Sequence, residues 1–272
     1  MKKVDLHIHS MYSDGTYTVN EIIERAKENQ VELISICDHN CIEAYDELEN
    51  KKLDVKILPG VEIDSVDDYI DFHILGYNFD IHDQQFKKFI EENNSRLELV
   101  NVKLLEKVIR DHPALSLQEY QNFSYDRKKG GWKLLHYFAN KGICETIWDG
   151  FEIYARYHHS YAEANFPSID EVCDQIHKAN GKAILAHPGK TIPYHSLNEF
   201  KIYLERLLEH PFDGVECYYP SHSEKITNIC LELCHKKKRM ITCGSDCHGE
   251  FEKTKIGQLN ISSDFLQLKD FI

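Results

Sequence analysis

The sequence predicts an α/β fold in which strands alternate with helices around one sheet or barrel. Residues 31–37 are dense in β-branched and apolar side chains, as in a buried parallel strand, and residues 56–63 are a second strand candidate. Two capping boxes, Thr18 to Glu21 and Ser168 to Glu171, each precede apolar residues at helical spacing. This alternation favours parallel pairing, with a functional site at the carboxyl ends of the strands.

The first predicted strand carries imidazoles on one face. Its apolar side chains, Val4, Leu6 and Ile8, alternate with Asp5, His7 and His9. Residues two apart in a strand point to the same face, so both histidines lie together. A second pair of ligand-type residues with the same spacing, Asp246 and His248, stands near the other end of the sequence. Imidazoles and carboxylates bind Zn²⁺, Mn²⁺ or Fe²⁺, so we expect the first and last strands to meet at a metal site.

The rest of the predicted elements continue the pattern, except in the middle of the sequence. Strands are predicted at 182–187, 213–218 and 240–246, and a helix with Ile226, Ile229 and Leu233 on one face joins the last two. From 83 to 167 the apolar spacing is helical: one helix is interrupted near 93–95, and others begin at 116 and 131. We therefore predict a barrel from residues 1–82 and 168–272, with residues 83–167 as a helical insertion or cap subdomain.

Composition and charge exclude several classes of protein. The 272 residues suit one α/β barrel, and 42% hydrophobic content is ordinary for a globular core. The net charge of −13 argues against nonspecific binding of duplex DNA, which requires a basic surface. The sequence has no run of about 18 apolar residues and no secretory signal, which predicts no membrane span. We expect a cytoplasmic protein with nine reduced cysteines.

Potential metal ligands stand at nearly every predicted strand end. They are His7, His9, Asp14, Asp38, His39, Glu62, His73, His187, Asp246 and His248. A single histidine is usually a core or surface residue, but a barrel brings strand ends to one face, and this many ligands at those ends indicates a cluster.

These residues lie in motifs that occur in a fixed order between positions 4 and 249. The motifs are His7-Ile8-His9-Ser10 with Ser13-Asp14-Gly15, Asp38-His39-Asn40, Leu58-Pro59-Gly60-Val61-Glu62, His73-Ile74-Leu75-Gly76-Tyr77, Leu185-Ala186-His187-Pro188-Gly189, Gly214-Val215-Glu216-Cys217-Tyr218-Tyr219-Pro220-Ser221-His222-Ser223 and Gly244-Ser245-Asp246-Cys247-His248-Gly249. With them the chain resembles the PHP (polymerase and histidinol phosphatase) family, in particular its nucleoside-bisphosphatase-like branch. Only the insertion is poorly covered by the resemblance.

The resemblance implies a distorted seven-stranded β/α barrel, similar to a TIM barrel, that holds three divalent metal ions. The first ion would bind His7, His9, Glu62 and Asp246, the second Glu62 (as a bridge), His73 and His187, and the third Asp14, His39 and His248. All nine positions carry residues able to bind a metal. Mn²⁺, Fe²⁺ and Zn²⁺ all accept these ligands. Asp5 and Asp38 would orient the ligands or serve the fold.

The implied function is hydrolysis of a phosphate ester by metal-activated water. Metal coordination lowers the pKa of water from about 15.7 to about 7, so no side-chain nucleophile is required. We expect a metal-dependent phosphatase or phosphodiesterase acting on a small phosphorylated substrate, and a nucleoside 3′,5′-bisphosphate is the leading candidate. Alternatives are a 5′–3′ exonuclease on short RNA, a cyclic-phosphate diesterase, histidinol-phosphate phosphatase and a non-catalytic, metal-stabilised PHP module.

Candidate substrate-binding residues lie mainly in the insertion. Arg127, Lys128 and Lys133 flank a glycine pair and Trp132 in an otherwise acidic chain, and could hold a second phosphate while Trp132 stacks on a base. The alternative is a solvated loop. His222, after the predicted strand 213–218, is a candidate proton donor or phosphate contact, or else structural. Trp148, Phe151 and Tyr154 have helical spacing and are predicted to be core residues.

Overall fold

The strands form two sheets in the computed structural model, which describes residues 2–49, 51 and 53–266. The first sheet is parallel, and its strands, in spatial order, are β1 (Val4–Ile8), β2 (Leu33–Ile36) and β3 (Lys56–Ile57). The second has five strands, in the order β4 (Gly60–Asp67), β5 (Ile70–Tyr77), β6 (Lys182–Leu185), β7 (Gly214–Tyr218) and β8 (Met240–Cys243). The α/β class is therefore confirmed.

The expectation of parallel pairing throughout is wrong for the second sheet. Strands β4 and β5 form an antiparallel hairpin, and β5 also pairs antiparallel with β6, whereas β6, β7 and β8 are parallel. The hairpin turns at Asp68 and Tyr69, which have φ of 47° and 65°. Two consecutive positive φ angles match the twist of a tight hairpin, although neither residue is the glycine or asparagine usual there.

A closed seven-stranded barrel is not confirmed. The two sheets meet through isolated bridges, one pairing Ile8 with Cys247 and the other pairing His39 with Glu62. The backbone N–H of His9 donates to the carbonyl of Cys247 at 2.9 Å. Asp246, next to the first bridge, has a φ of 51°, which a regular strand cannot contain. The hydrogen-bond ladder between the two sheets therefore stops where these strands end, and the loops that begin there can turn towards the space between the sheets.

Helices surround the two sheets and fill the insertion. In chain order they are α1 (Val19–Glu28), α2 (Ala44–Leu48), α3 (Gln84–Asp111), α4 (Leu117–Asn122), α5 (Lys133–Asn140), α6 (Gly150–Arg156), α7 (Ile169–Lys178), α8 (Pro188–Thr191), α9 (Leu197–Leu207) and α10 (Glu224–Lys237). Short 3-10 helices occur at Arg127–Lys129, Tyr161–Ala164, Gly249–Phe251 and Ser263–Phe265. Both predicted capping boxes are present, at the start of α1 and of α7.

Helix α3 is continuous, so the predicted interruption near residues 93–95 is wrong. Asn93 is fully buried, and its side-chain amide donates to Oδ1 of Asn40 at 3.0 Å and to the carbonyl of Asp64 at 2.9 Å. Ser95 donates its hydroxyl to the carbonyl of Glu91 within the helix. The side chains of Asn93 and Ser95 thus form hydrogen bonds without interrupting the helix, and for this reason polarity alone led to a wrong prediction.

The insertion has a core of its own. Phe86 and Ile90, at the start of α3, pack into the main core with the sheets. A separate apolar cluster forms farther along, from Leu104, Leu105, Val108, Leu115, Tyr120, Leu134, Tyr137, Phe138 and Ile153. Helix α3 thus belongs to both parts, and the division at residues 83 and 167 stays a prediction. Within the described ranges, no helix is long and apolar enough to cross a membrane.

Candidate metal centre

The nine predicted metal ligands converge where the two sheets meet. All are buried except His73, which is partly exposed. Their ligand atoms form three overlapping groups, each with its atoms within 4.8 Å of one another. The groups are His7, His9, Glu62 and Asp246; His39, Glu62 and His73; and His9, Asp14, His39 and His248. The first matches the set implied for the first ion, and the third adds His9 to the set implied for the third. The second contains Glu62 and His73 and adds His39, but lacks His187, the ninth predicted ligand.

The first group surrounds a point between β1 and the loop after β8. Nε2 of His7 lies 3.1 Å from Nε2 of His9 and 3.2 Å from Oε2 of Glu62. Nε2 of His9 lies 3.1 Å from Oδ1 of Asp246. Imidazole nitrogens and carboxylate oxygens thus face each other at short range, an arrangement that suits a shared cation.

Glu62 connects the first group to the second. Its Oε2 faces His7 and His9, while its Oε1 lies 2.9 Å from Nδ1 of His73 and 2.9 Å from Nε2 of His187. One carboxylate thus presents a different oxygen to each side, which is the geometry of a bridging ligand. His187, predicted for the second ion, is brought to this position.

The third group lies beside the loop after β1. Oδ2 of Asp14 is 3.2 Å from Nε2 of His248, and Oδ1 of Asp14 is 3.4 Å from Nδ1 of His9. His39 reaches the group from the end of β2, and its Nε2 lies 3.3 Å from Oε2 of Glu62. His9 and His39 therefore link the third group to the other two.

Polar groups behind the cluster fix which nitrogen each imidazole presents. Nδ1 of His7 lies 3.0 Å from Oε1 of Glu216, and Nδ1 of His39 lies 3.1 Å from Oδ1 of Asp64. With a proton on each of these Nδ1 atoms, Nε2 offers its lone pair to the cluster. We did not predict Glu216 or Asp64 from sequence. Asp64 carried a signal, since it stands two residues after Glu62 and so shares its face of β4.

Two buried nitrogens test whether these residues fit metal ions. Among the described residues, Nδ1 of His9 and Nδ1 of His73 make no hydrogen bond, although carboxylate oxygens of Asp14 and Glu62 lie 3.4 and 2.9 Å away. Buried polar atoms are nearly always satisfied, so an orphan within a group of ligand-type atoms indicates a missing partner. The donor set of imidazoles and carboxylates is that of a divalent transition metal, and the residues therefore fit the implied ions.

Burial and charge set the protonation of the ligands. Burial by itself would raise the pKa of Glu62, but the imidazoles of His39, His73 and His7 hold it well below its usual value. Burial lowers the pKa of His187 to about 3 despite its contact with Glu62. Burial would also lower the pKa of His7, but Glu216 and Glu62 raise it to about 10. A proton and a metal ion thus compete for His7, and metal binding releases that proton.

Two of the ligands have a strained backbone conformation. His187 has a φ of 25° and Asp246 a φ of 51°, although neither is glycine. Such conformations cost about 1–3 kcal/mol each and persist where the surroundings enforce them. Asp246 is held by the hydroxyl of Tyr219, which donates to its Oδ2 at 2.6 Å, and by Nζ of Lys190 at 3.1 Å from the same oxygen. Its Oδ1 is therefore directed to His7 and His9.

A cavity of about 320 Å³ opens over the cluster, and we call it the main cavity. Its aromatic wall consists of Trp132, Phe151, Tyr161 and Phe251. Among the described residues that line this cavity, Lys190 is the one lysine or arginine, and sequence reasoning missed it. Trp148 and Phe151 are 47% and 37% exposed, so their predicted place in the core is wrong. Trp148 instead stacks on Phe251, with ring centroids 4.5 Å apart.

The predicted substrate-binding cations do not line the main cavity. Nη2 of Arg127 donates to the carbonyls of Met11 and Tyr12, at 3.0 and 3.1 Å, and to that of Ser13. Lys128 lies 3.8 Å from Glu21 on the surface. Lys133 donates to the carbonyl of Gln121 and lies over the ring of Tyr120. Substrate binding by these three residues stays a prediction.

Gly130 and Gly131 carry the insertion close to the metal cluster. The N–H of Gly131 donates to the carbonyl of Asp14 at 2.7 Å. Gly130 has a φ of 66°, and a Cβ there would lie 2.9 Å from the same carbonyl and 2.7 Å from Phe251. Only glycine fits, because both the backbone conformation and the space require it.

His222 and the two predicted orienting aspartates have structural partners. Nδ1 of His222 lies 3.0 Å from the carbonyl of Cys217, and its Nε2 accepts from the N–H of Gly189. Both ring nitrogens are thus engaged with backbone, and these contacts do not support His222 as a proton donor. Asp38 accepts from the hydroxyls of Ser10 and Ser13, and Asp5 accepts from the N–H groups of Ser245 and Gly257. Both brace loops that carry ligands.

Comparisons with known proteins identify the family and several relatives of this chain. The PHP domain model matches residues 5–187. The chain is 28% identical over 257 residues to the 5′–3′ exoribonuclease Rnm of Escherichia coli, covering 90% of this chain and 84% of that protein. It is 24% identical over 271 residues to the phosphoribosyl 1,2-cyclic phosphate 1,2-diphosphodiesterase of Eggerthella lenta, covering 91% and 94%.

Two further similarities are shorter or structural. The chain is 33% identical to the 3′,5′-nucleoside bisphosphate phosphatase of Chromobacterium violaceum, but over 82 residues that cover 29% of each protein. A candidate metal-dependent phosphoesterase from Bifidobacterium adolescentis shares the fold, with a TM-score of 0.71 at 21% identity over 94% of this chain and 91% of that one. Because the family model covers more than half of the sequence, the chain belongs to the PHP domain family.

Proposed function

We propose that this chain, a metal-dependent phosphoesterase of the PHP family, hydrolyses phosphate esters of nucleotides. The observation that carries the proposal is the set of nine converging ligands beneath a cavity with an aromatic wall. Metal ions held by such a cluster bind phosphoryl oxygens, and aromatic rings stack on a nucleobase. The leading substrate is a nucleoside 3′,5′-bisphosphate or a related phosphomonoester.

The nine ligands would hold three divalent ions, of Mn²⁺, Fe²⁺ or Zn²⁺. His7, His9 and Asp246 would bind the first, His73 and His187 the second, and Glu62 would bridge the two. Asp14, His39 and His248 would bind the third. Bound there, divalent ions supply a nucleophile by lowering the pKa of coordinated water, and they offset the charge of the transition state.

Lys190 would bind the phosphate from the side of the cavity opposite the insertion. Its Nζ lies 3.1 Å from Oδ2 of Asp246 and 5.7 Å from the centre of the Tyr219 ring. The carboxylates of Asp246 and Glu62 outweigh the effect of burial and raise the pKa of Lys190 above its ordinary value. The ammonium group therefore stays charged and can attract an anionic substrate to the ligand cluster.

A second candidate function is 5′–3′ exonuclease action on short RNA. The relatives with that name match over most of their length, whereas the bisphosphate phosphatase matches over 29% of its length. A cavity of about 180 Å³, the outer cavity, lies on another side of Trp132 and is lined by Arg127, Lys133 and Tyr12. The second nucleotide of an RNA chain would lie in the outer cavity, with Arg127 and Lys133 near its phosphate backbone.

One screen separates these functions. Protein purified with Mn²⁺ is given adenosine 3′,5′-bisphosphate, 5′-phosphorylated oligoribonucleotides of two to five residues, a cyclic phosphate and histidinol phosphate. Release of inorganic phosphate from the bisphosphate supports the leading candidate, and release of mononucleotides supports the exonuclease. A metal-loaded protein that is inactive on all of them would reject the proposal and favour a non-catalytic module. A Glu62→Gln variant excludes a contaminating phosphatase, since it removes the bridging ligand.

A further inference from the structure

A second cavity, which we call the side cavity, opens from the main cavity between the insertion and β5. It has a volume of about 170 Å³. Trp132, Phe151 and Tyr161 line both cavities, so the two adjoin along these rings and a ligand that reaches past the rings would occupy both. We propose that the side cavity binds the base of the nucleotide and selects bases that carry an exocyclic amine. This inference rests on the proposed function and names the part of the substrate that determines specificity.

The walls of the side cavity are flat and held in place. Tyr154 stacks on His159 with ring centroids 4.6 Å apart, and Tyr161 stacks on Phe166 at 4.5 Å. The hydroxyl of Tyr161 also lies 3.3 Å from Nε2 of His73. Fixed aromatic surfaces stack on the face of any base and so bind bases without selecting among them.

The polar groups of the side cavity supply the selectivity. Asp71 accepts from the hydroxyl of Ser160 and from the N–H of Tyr161, both through Oδ1. No described residue donates to its Oδ2, which leaves one carboxylate oxygen as an acceptor. An exocyclic amine on adenine, cytosine or guanine can donate to it. Uracil has carbonyl oxygens at the equivalent positions, and its ring N3–H, the one base donor left in uridine, lies between two carbonyl oxygens that repel a carboxylate.

Asn101 provides a donor in the lining of the same cavity. It is 6% exposed, and its Oδ1 accepts from the hydroxyl of Tyr154 at 3.2 Å. That bond fixes the amide orientation, so Nδ2 is left to donate, and no residue in the described ranges accepts from it. An amino-bearing base places a ring nitrogen or carbonyl acceptor next to its amine, which matches this donor and acceptor pair.

The spacing of the two cavities fits a single nucleotide. Asp71 and His73 stand two residues apart on β5, and therefore on the same face, about 7 Å apart along the strand. Asp71 lines the side cavity and His73 lines the main cavity beside the ligand cluster. A sugar between them would connect a base at Asp71 to a phosphate at the cluster.

Nucleoside binding tests the inference without depending on catalysis. The chain has two tryptophans, so in a Trp148→Phe variant the fluorescence reports on Trp132. With chelator present, adenosine should quench this signal saturably, and uridine should bind about tenfold more weakly. Adding Asp71→Asn should remove the preference, whereas Asp68→Asn, on the exposed hairpin turn, should keep it. Equal binding of adenosine and uridine, or no quenching by either, would overturn the inference.

A kinetic ratio completes the test and separates it from the proposed function. The ratio of kcat/KM for adenosine 5′-phosphate esters to that for base-free ribose 5-phosphate should fall about tenfold in Asp71→Asn and stay unchanged in Asp68→Asn. If neither substrate is hydrolysed, the proposed function is rejected. The fluorescence titration would still show whether the side cavity binds a base. An unchanged ratio in Asp71→Asn would reject Asp71 as the selecting residue.

Discussion

We predicted a function for two regions: the metal-ligand cluster and the basic segment of the insertion, residues 127–133. The side chains of these two regions make different contacts in the structure. The cluster ligands come from the strands and from the loops that follow them, are almost all buried, and face one another. The basic segment faces backbone: Arg127 binds carbonyls of residues 11–13, and Gly131 binds that of Asp14. The segment therefore braces the loop that carries a ligand.

The difference follows from how each region is built. Strand ends are positioned by ladders, so the alternation of residues decides which side chains meet. A cation in a loop can turn to the substrate or to backbone carbonyls, and the loop sequence is the same in either case. The comparison yields four predictions about which region controls metal binding.

Removal of the metal ions should have the largest effect. Dialysis against a chelator is expected to abolish phosphate release, and Mn²⁺ should restore it. Each ion present at about 100 times its Kd stabilises a protein by about 2.7 kcal/mol, so loss of even one ion should lower Tm by about 5–10 °C in a chain of this size, and loss of all should lower it further. Calorimetry with and without chelator measures this shift. Full activity after metal removal, verified by elemental analysis, would break the account.

Loss of a single ligand should come next. His7→Ala removes a nitrogen that lies within 3.4 Å of His9, Glu62 and Asp246. Several kcal/mol of transition-state stabilisation depend on such an ion, so kcat/KM should fall by more than about 10³-fold. His82→Ala, whose side chain is 64% exposed, is the control and should behave as the wild type. Steady-state kinetics and metal content report the two outcomes together.

Changes behind the ligands should have intermediate effects. Glu216→Gln keeps the size of the side chain but weakens the partner that holds Nδ1 of His7 at 3.0 Å. Losing such a partner typically lowers metal affinity by about 10–100-fold. Titration of the chelator-treated protein with Mn²⁺ measures the Kd. An unchanged Kd would mean that Glu216 does not orient His7.

The smallest effect is expected in the basic segment. Arg127→Met removes charge-assisted bonds worth about 1.5 kcal/mol, so the Asp14 loop should loosen and kcat should fall about tenfold with little change in KM. Lys128→Met is the matched control, because its side chain is 60% exposed and makes one distant ion pair. If Arg127→Met instead raises KM and leaves metal content unchanged, the segment binds substrate after all.

The sequence revealed the cluster better than it revealed the fold or the cavity walls. His7 and His9 were predictable because alternation in one strand is a local property, and Asp64 could have been found in the same way. The hairpin at Asp68 and Tyr69 was harder to predict, because Asp68 is followed by a tyrosine where such a turn usually has glycine. The carbonyl partners of Arg127 lie 114 to 116 positions away in the sequence, so its contacts could not be predicted locally. The stacking of Trp148 on Phe251, outside the core, is likewise evident only in the folded chain.

The central claim is that one chain holds three divalent ions among these nine side chains. Anomalous X-ray diffraction from crystals of protein loaded with Mn²⁺, collected at the manganese absorption edge, tests it most directly. The account predicts three peaks, one within each ligand group, with Glu62 between the first two. It would be contradicted by the absence of any peak within bonding distance of His7, His9 and Asp246.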